Sequence, residues 1–308
     1  MNSRYNSQTK PLLRKCGKDE YPIQRSNNFT KPSFDNMFFT NVIRCLVIGG
    51  TGCGKTTLMQ NIIEHADELH LPFTDLILYA PQMCIESDKW QNVKAFLNSH
   101  GKNLVPQPVD NYPSIKQYKE MMNNRNRAIK NNSKSAISQE QKPKEDIEKC
   151  SQIYDSLKSI PLISPDTIYN TQQKYPNYKP LIIFDDAVSY FKNSPLLVEH
   201  YRQFMNNGTR LNVSAVFNLI QSLQHLPTDL RNSCSCVIFF PNCIAPHQLS
   251  VIAKNIKYNI LSDSRLFKQV MELIRDRNNK FDYITISFDA PSEKQVRFNE
   301  DLFINPQL

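Results

Sequence analysis

Gly49-Gly50-Thr51-Gly52-Cys53-Gly54-Lys55-Thr56 is the stretch that decides how the rest of the chain is read. The 308 residues include only 7 glycines, and four of them fall inside these eight positions. The apolar run Val42-Ile43-Arg44-Cys45-Leu46-Val47-Ile48 comes before it, and Thr57-Leu58-Met59-Gln60-Asn61-Ile62-Ile63 comes after. Strand, glycine-rich loop and helix follow one another, which is the context a G-x-x-x-x-G-K-[ST] match requires. Glycines let the loop turn without Cβ clashes, so successive backbone N–H groups can face phosphate oxygens. The helix that starts near Lys55 adds the partial positive charge of its N-terminus. Lys55 is then placed for the β- and γ-phosphates, and the Thr56 hydroxyl for Mg²⁺. Residues 49–57 read as a nucleoside-triphosphate site, with ATP and Mg²⁺ as the expected cofactors.

Working outward, the hydrophobic fraction of 40% and charged fraction of 21% fit a globular protein. The length allows one large α/β domain with insertions, or two small ones. No apolar run approaches the ~20 residues of a membrane-spanning helix. The segment Met1-Asn2-Ser3-Arg4-Tyr5-Asn6 has no apolar core, so no secretory signal is expected. The eight cysteines show no paired C-x-x-C spacing and read as reduced thiols in an intracellular compartment. Cys234 and Cys236 share one face of a strand, an arrangement that suits packing better than ligation. The balance of 37 basic and 29 acidic residues, +8, favours anionic partners only weakly.

Residues 1–36 are polar, basic and broken by prolines, and read as a flexible arm. An ATPase-sized domain is expected over 37–290, with a polar insertion at about 101–160 and a loose tail at 291–308. Inside the domain, strands alternate with helices. Leu58, Met59, Ile62, Ile63, Ala66 and Leu69 fall on one helical face before Pro72. Leu76-Ile77-Leu78-Tyr79-Ala80 is a buried strand, and Trp90, Val93, Phe96 and Leu97 suggest a helix ended by Gly101. A strand at 181–186 ends in two carboxylates, and a helix follows around 196–205. A strand at 213–220 ends in Gln221, a short helix from Pro227 carries Arg231, and another strand spans 236–240. Helices around 246–256 and 262–277 precede an alternating stretch at 283–288 that suits an edge strand. The fold class is α/β, a mainly parallel sheet with helices on both faces. Ligands in such sheets sit at the carboxyl ends of the strands, where all this polar punctuation falls.

At one such end Asp185 can hold Mg²⁺ opposite the Thr56 hydroxyl, and Asp186 can orient and deprotonate the attacking water. Two acids rather than one point to hydrolysis. Gln221 can hydrogen-bond the γ-phosphate and the attacking water, although a strand-end glutamine is ordinarily just surface. Arg202, Arg210 and Arg231 are candidates for an arginine finger, each weighed against an ordinary ion pair.

The chain resembles a known family in the order G-G-T-G-C-G-K-T, L-I-I-F-D-D and N-N-G-T-R-L-N-V-S-A-V-F-N-L-I-Q-S-L-Q-H-L-P-T-D-L-R-N-S. It is similar to the genome-packaging ATPases of poxviruses, other large DNA viruses and virophages, within the FtsK–HerA superfamily of P-loop ring motors. The resemblance covers roughly 38–242, interrupted by 101–160. It implies a P-loop NTPase fold with strand order 5-1-4-3-2, which sets the Gln221 strand between the phosphate-loop strand and the Asp185 strand. It also implies a sensor role for Gln221, and Arg210 or Arg231 at a subunit boundary. The implied partners are double-stranded DNA bound without regard to sequence, a homo-oligomeric ring, and a capsid or portal-vertex protein, with no membrane. The implied place is the viral assembly site inside the host cell. The rival readings are another P-loop enzyme, such as a helicase or nucleotide kinase, and a nucleotide-gated assembly protein with little turnover.

Overall fold

Strands that are apolar on both faces need cover on both sides, and period-two alternation divides their side chains between two layers. The computed structural model describes residues 13–15, 42–67, 69, 71–135, 163–245, 271, 279–290, 296–298 and 302–304. Ten strands among them form one sheet. They are β1 (Leu13–Lys15), β2 (Ile43–Ile48), β3 (Asp75–Ala80), β4 (Asn103–Pro108) and β5 (Leu181–Asp185). The others are β6 (Ala215–Ile220), β7 (Cys236–Phe239), β8 (Ile284–Ser287), β9 (Val296–Phe298) and β10 (Leu302–Ile304). Their order is β1-β10-β9-β8-β7-β2-β6-β5-β3-β4. From β7 to β4 all neighbours are parallel, and β8, β9, β10 and β1 continue the other side antiparallel.

In β2, Leu46 and Ile48 join one buried layer with Tyr79, Phe184, Tyr201 and Phe204. Cys45 and Val47 join the other, with Leu58, Met59, Ile62 and Trp90. The second layer is closed by α1 (Lys55–Glu64) and, beyond the one-turn α2 (Gln82–Ile85), by α3 (Asp88–Ser99). Helix α4 (Ile115–Ser135) follows β4. The first layer is closed by α5 (Pro165–Lys174) and α6 (Pro195–Asn207), and α7 (Thr228–Asn232) leads into β7. Serines cap the starts of both α5 and α6: Ser164 and Ser194 accept backbone N–H groups that would otherwise lack partners.

The observed order differs from the five-strand 5-1-4-3-2, because strands are added at both ends. β4 lies inside the stretch read as a polar insertion and takes the outermost place beyond β3. Its Pro106 and Pro108 lack an N–H, which confines such a strand to an edge, and their two-residue spacing puts both missing donors on one side. At the other end, β1 falls within the expected arm, and β9 and β10 within the expected loose tail. Val296 and Phe298 are buried against β8, so this part of the tail belongs to the core. Helix α1 ends at Glu64, earlier than the apolar spacing suggested, and Ala66 and Leu69 are buried in the turn after it. The helices expected at 246–256 and 262–277 lie outside the described residues, apart from Met271.

Candidate active site

Parallel pairing brings the carboxyl ends of β2, β6 and β5 side by side. Ile48 pairs with Ile220, and Leu219 with Asp185. The loop leaving β2 is anchored on both sides: Gly49 N–H donates to Ile220 O (3.1 Å) and Gly50 N–H to Cys243 O (3.0 Å). Gly52 and Gly54 have φ of +74° and +102°, the left-handed region that favours glycine, and Gly54 leads directly into α1. Cys53 is buried beneath the loop, and a Cβ on Gly49 would stand only 2.4 Å from its sulfur. The Lys55 ammonium donates to Gly49 O (2.7 Å) and Gly50 O (3.1 Å), which holds it over the loop.

Asp185 is buried, and its Oδ2 accepts the indole N–H of Trp90 at 2.8 Å. Burial pushes its carboxyl up to about 6; Asp186 adds to the rise, while the Trp90 and Thr56 hydrogen bonds and Lys55 oppose it. A buried carboxylate beside a threonine hydroxyl is a hard-oxygen donor set that suits Mg²⁺, so the residues present fit that ion. Trp90 was legible in the sequence only as a core residue. It lies 95 positions from Asp185, and nothing short of the fold joins them.

The burial of Asp185 has a testable cost. Its folded value, about 6, lies above an unfolded value of about 4. Between these the folded state holds the extra proton, so stability falls as pH rises from about 4 to about 6 and stays lower above that. The penalty at neutral pH is about 3 kcal/mol. Asp185→Asn keeps an acceptor for Trp90 without the charge, so the ligand-free protein should melt a few degrees higher at pH 7. Its stabilisation by MgATP should disappear. A thermal melt with and without MgATP checks both; an unchanged ligand-free Tm would contradict the burial argument.

Asp186 has φ of +50°, a left-handed conformation that Asp tolerates better than most residues. Its backbone N–H donates to Leu219 O, and the Gln221 amide donates to both carboxylate oxygens at 3.3 Å. The fold therefore joins Asp185, Asp186, Gln221, Lys55 and Thr56 at one place. A further group, Lys89 at the start of α3, donates to the Thr57 hydroxyl at 2.8 Å and was not singled out by the sequence.

The arginines lie elsewhere. Arg210 is exposed on the turn leading into the amino end of β6, opposite the end that carries Gln221. Arg231, in α7, is half-buried and donates to Leu226 O at 2.8 Å. Arg202 is held by Glu199 (3.0 Å) and Asp229 (3.2 Å).

A glycine-rich phosphate loop, paired carboxylates and a parallel sheet define the class: this is a P-loop ATPase. Residues 163–302 match the family described as Poxvirus A32 protein, which bears out the resemblance to poxvirus-type ATPases and carries it past residue 242, where the sequence reading ended it. The match contains Asp185, Asp186, Arg210, Gln221 and Arg231 and leaves the phosphate loop outside.

Among solved structures the chain is similar to B204, the DNA-packaging ATPase from Sulfolobus Turreted Icosahedral Virus. Identity is 11% and the TM-score 0.46, over 84% of this chain and 98% of that one. It is also similar to the genome packaging NTPase B204 from Sulfolobus turreted icosahedral virus 2 in complex with ATP-gammaS, at 11% identity and TM-score 0.44, covering 84% and 97%. Similarity to EssC (ATPases 2 and 3) from Geobacillus thermodenitrificans is 13% identity at TM-score 0.34, covering 64% and 31%. No curated protein matches. Among the described residues, no helix is long and apolar enough to cross a membrane.

Proposed function

We propose that this chain is a viral genome-packaging ATPase, working as a homo-oligomeric ring that drives double-stranded DNA into capsids. The observation that carries hydrolysis is the contact of Gln221 with both oxygens of Asp186, beside the phosphate loop. A switch or kinase of the loop class needs no second acid beside the metal-binding one. The match to the Poxvirus A32 protein family supports the viral motor, and its work would be done at the viral assembly site with a capsid or portal-vertex partner.

The loop amides and Lys55 bind the β- and γ-phosphates. Thr56 and Asp185 would hold Mg²⁺, which neutralises charge on the phosphate oxygens when bound. Asp186 accepts the proton of the attacking water, and Gln221 orients that water against the γ-phosphate. Because Gln221 also holds Asp186, loss of the γ-phosphate is felt at the base and at β6 together. That gives the motor a way to report its nucleotide state through the sheet. DNA is gripped by its phosphates without base readout.

The test is phosphate release with and without long double-stranded DNA. Turnover should rise with DNA of any sequence, and DNA binding should weaken steeply with salt as counterions are released. A particular site that outcompetes random duplex by ~10³ would indicate a sequence reader and sink the packaging model. Nucleotide binding without phosphate release would leave the nucleotide-gated assembly protein instead.

A further inference from the structure

The catalytic groups all lie on one side of the phosphate-loop strand. β6 brings Gln221, and β5 beyond it brings Asp185 and Asp186. A triphosphate bound with its γ-phosphate toward β6 and β5 would leave its nucleoside toward the other neighbour, β7. There Phe239 pairs with Ile284, so the segment entering antiparallel β8 also reaches the carboxyl end of β7.

That segment is tied to the phosphate loop through one intermediate turn. Gly50 N–H donates to Cys243 O (3.0 Å), the Cys243 thiol to Lys280 O (3.4 Å), and the Asn242 amide to Asn279 O (2.8 Å). Asn279 in turn accepts the Phe281 N–H at 3.1 Å. These links set the Phe281 ring against the loop: its Cδ1 is 3.3 Å from where a Cβ on Gly54 would stand. Yet Phe281 is 54% exposed, while Phe240 and Tyr283 near it are buried. An open aromatic ring thus stands at the start of α1, on the side away from the carboxylates.

We infer that the Phe281 ring is the platform on which the base of the bound nucleotide stacks, a specificity element for nucleotide over bare polyphosphate. The inference rests on the reading of 49–57 as a nucleoside-triphosphate site. A flat apolar ring recognises the π-face that every nucleobase carries. The Lys280 ammonium lies 4.8 Å from the ring centroid, so the base stacks opposite this flexible side chain or displaces it. Gly54 admits the ring at this distance, since any side chain there would crowd it.

Calorimetric titration of the full chain with ATP and with inorganic tripolyphosphate, both with Mg²⁺, separates the base from the phosphates. Phe281→Ala should weaken ATP binding by roughly tenfold or more and leave tripolyphosphate binding where it was. Phe281→Tyr should bind ATP as the wild type does. An unchanged ATP affinity in Phe281→Ala would overturn the inference. An equal loss for ATP and tripolyphosphate would do so too, because it would make Phe281 a prop for the loop. Wild-type protein that binds tripolyphosphate as tightly as ATP also removes the base contact while keeping the phosphate site. If the wild type binds neither, the triphosphate reading itself fails and the platform with it.

Discussion

Asp186→Asn should retain ATP within a few-fold of the wild-type affinity and lower hydrolysis by ~10²–10⁴, the usual contribution of a positioned base. The substitution suits the site. Asn is as tolerant of the left-handed conformation as Asp, so the +50° φ costs the variant little, whereas an alanine would add strain. The amide oxygen still accepts from Gln221, so the tip of β6 keeps its contact. What is lost is the ability to take a proton from water. Lys55→Ala provides the contrast, because it removes the charge facing the phosphates and should weaken binding itself. Phosphate release and equilibrium nucleotide binding, measured on both variants, separate the two effects. Near wild-type turnover in Asp186→Asn would assign the base to another group.

The parts of this site that could be read in the sequence are those whose chemistry is local. Four glycines, a lysine and a threonine in one stretch identify a phosphate loop because its donors are consecutive backbone amides. Asp185 and Asp186 were visible only because the phosphate loop was, since two acids at a strand end otherwise read as a turn or a helix cap. Gln221 is different: a strand-end amide has no signature of its own, and its place rests on β6 lying between β2 and β5. Trp90 and Phe281 were out of reach in the same way. Each lies far along the chain from the groups it touches, and each belongs to a residue type that normally signals only packing. The edges of the sheet were misread for a composition reason. β4 is polar and carries two prolines, which mark an edge strand as readily as a loop. The three-residue β1, β9 and β10 are too short for period-two alternation to register.

The remaining large effect concerns the proposed ring. A finger acting across a subunit boundary must be exposed and uncommitted, and the three arginines of this region differ in that respect. Arg202 is held by two carboxylates and Arg231 by the carbonyl of Leu226. Arg210 is exposed on a turn whose shape is fixed: a Cβ on Gly208 would stand 2.9 Å from Phe204 O, and Asn212 has φ of +43°. That turn lies at the amino end of β6, the end opposite the one that carries Gln221. On the proposed reading, a finger at Arg210 would act on a neighbour's site. Arg210→Ala should therefore bind ATP normally and lose ~10³ or more in turnover, the scale of a finger that stabilises charge on the transferring phosphoryl group. Arg231→Ala should lose far less, because the Arg231 guanidinium is already committed to the carbonyl of Leu226. The decisive measurement mixes Arg210→Ala with Asp186→Asn. Each variant is inactive alone, yet a mixed ring contains sites with an intact Asp186 facing a neighbour's intact Arg210, and activity should return. Recovery with Arg231→Ala instead would move the finger to α7. No recovery with either, in rings shown to mix, would place the finger in the same subunit as its site and contradict an assignment to either arginine in trans.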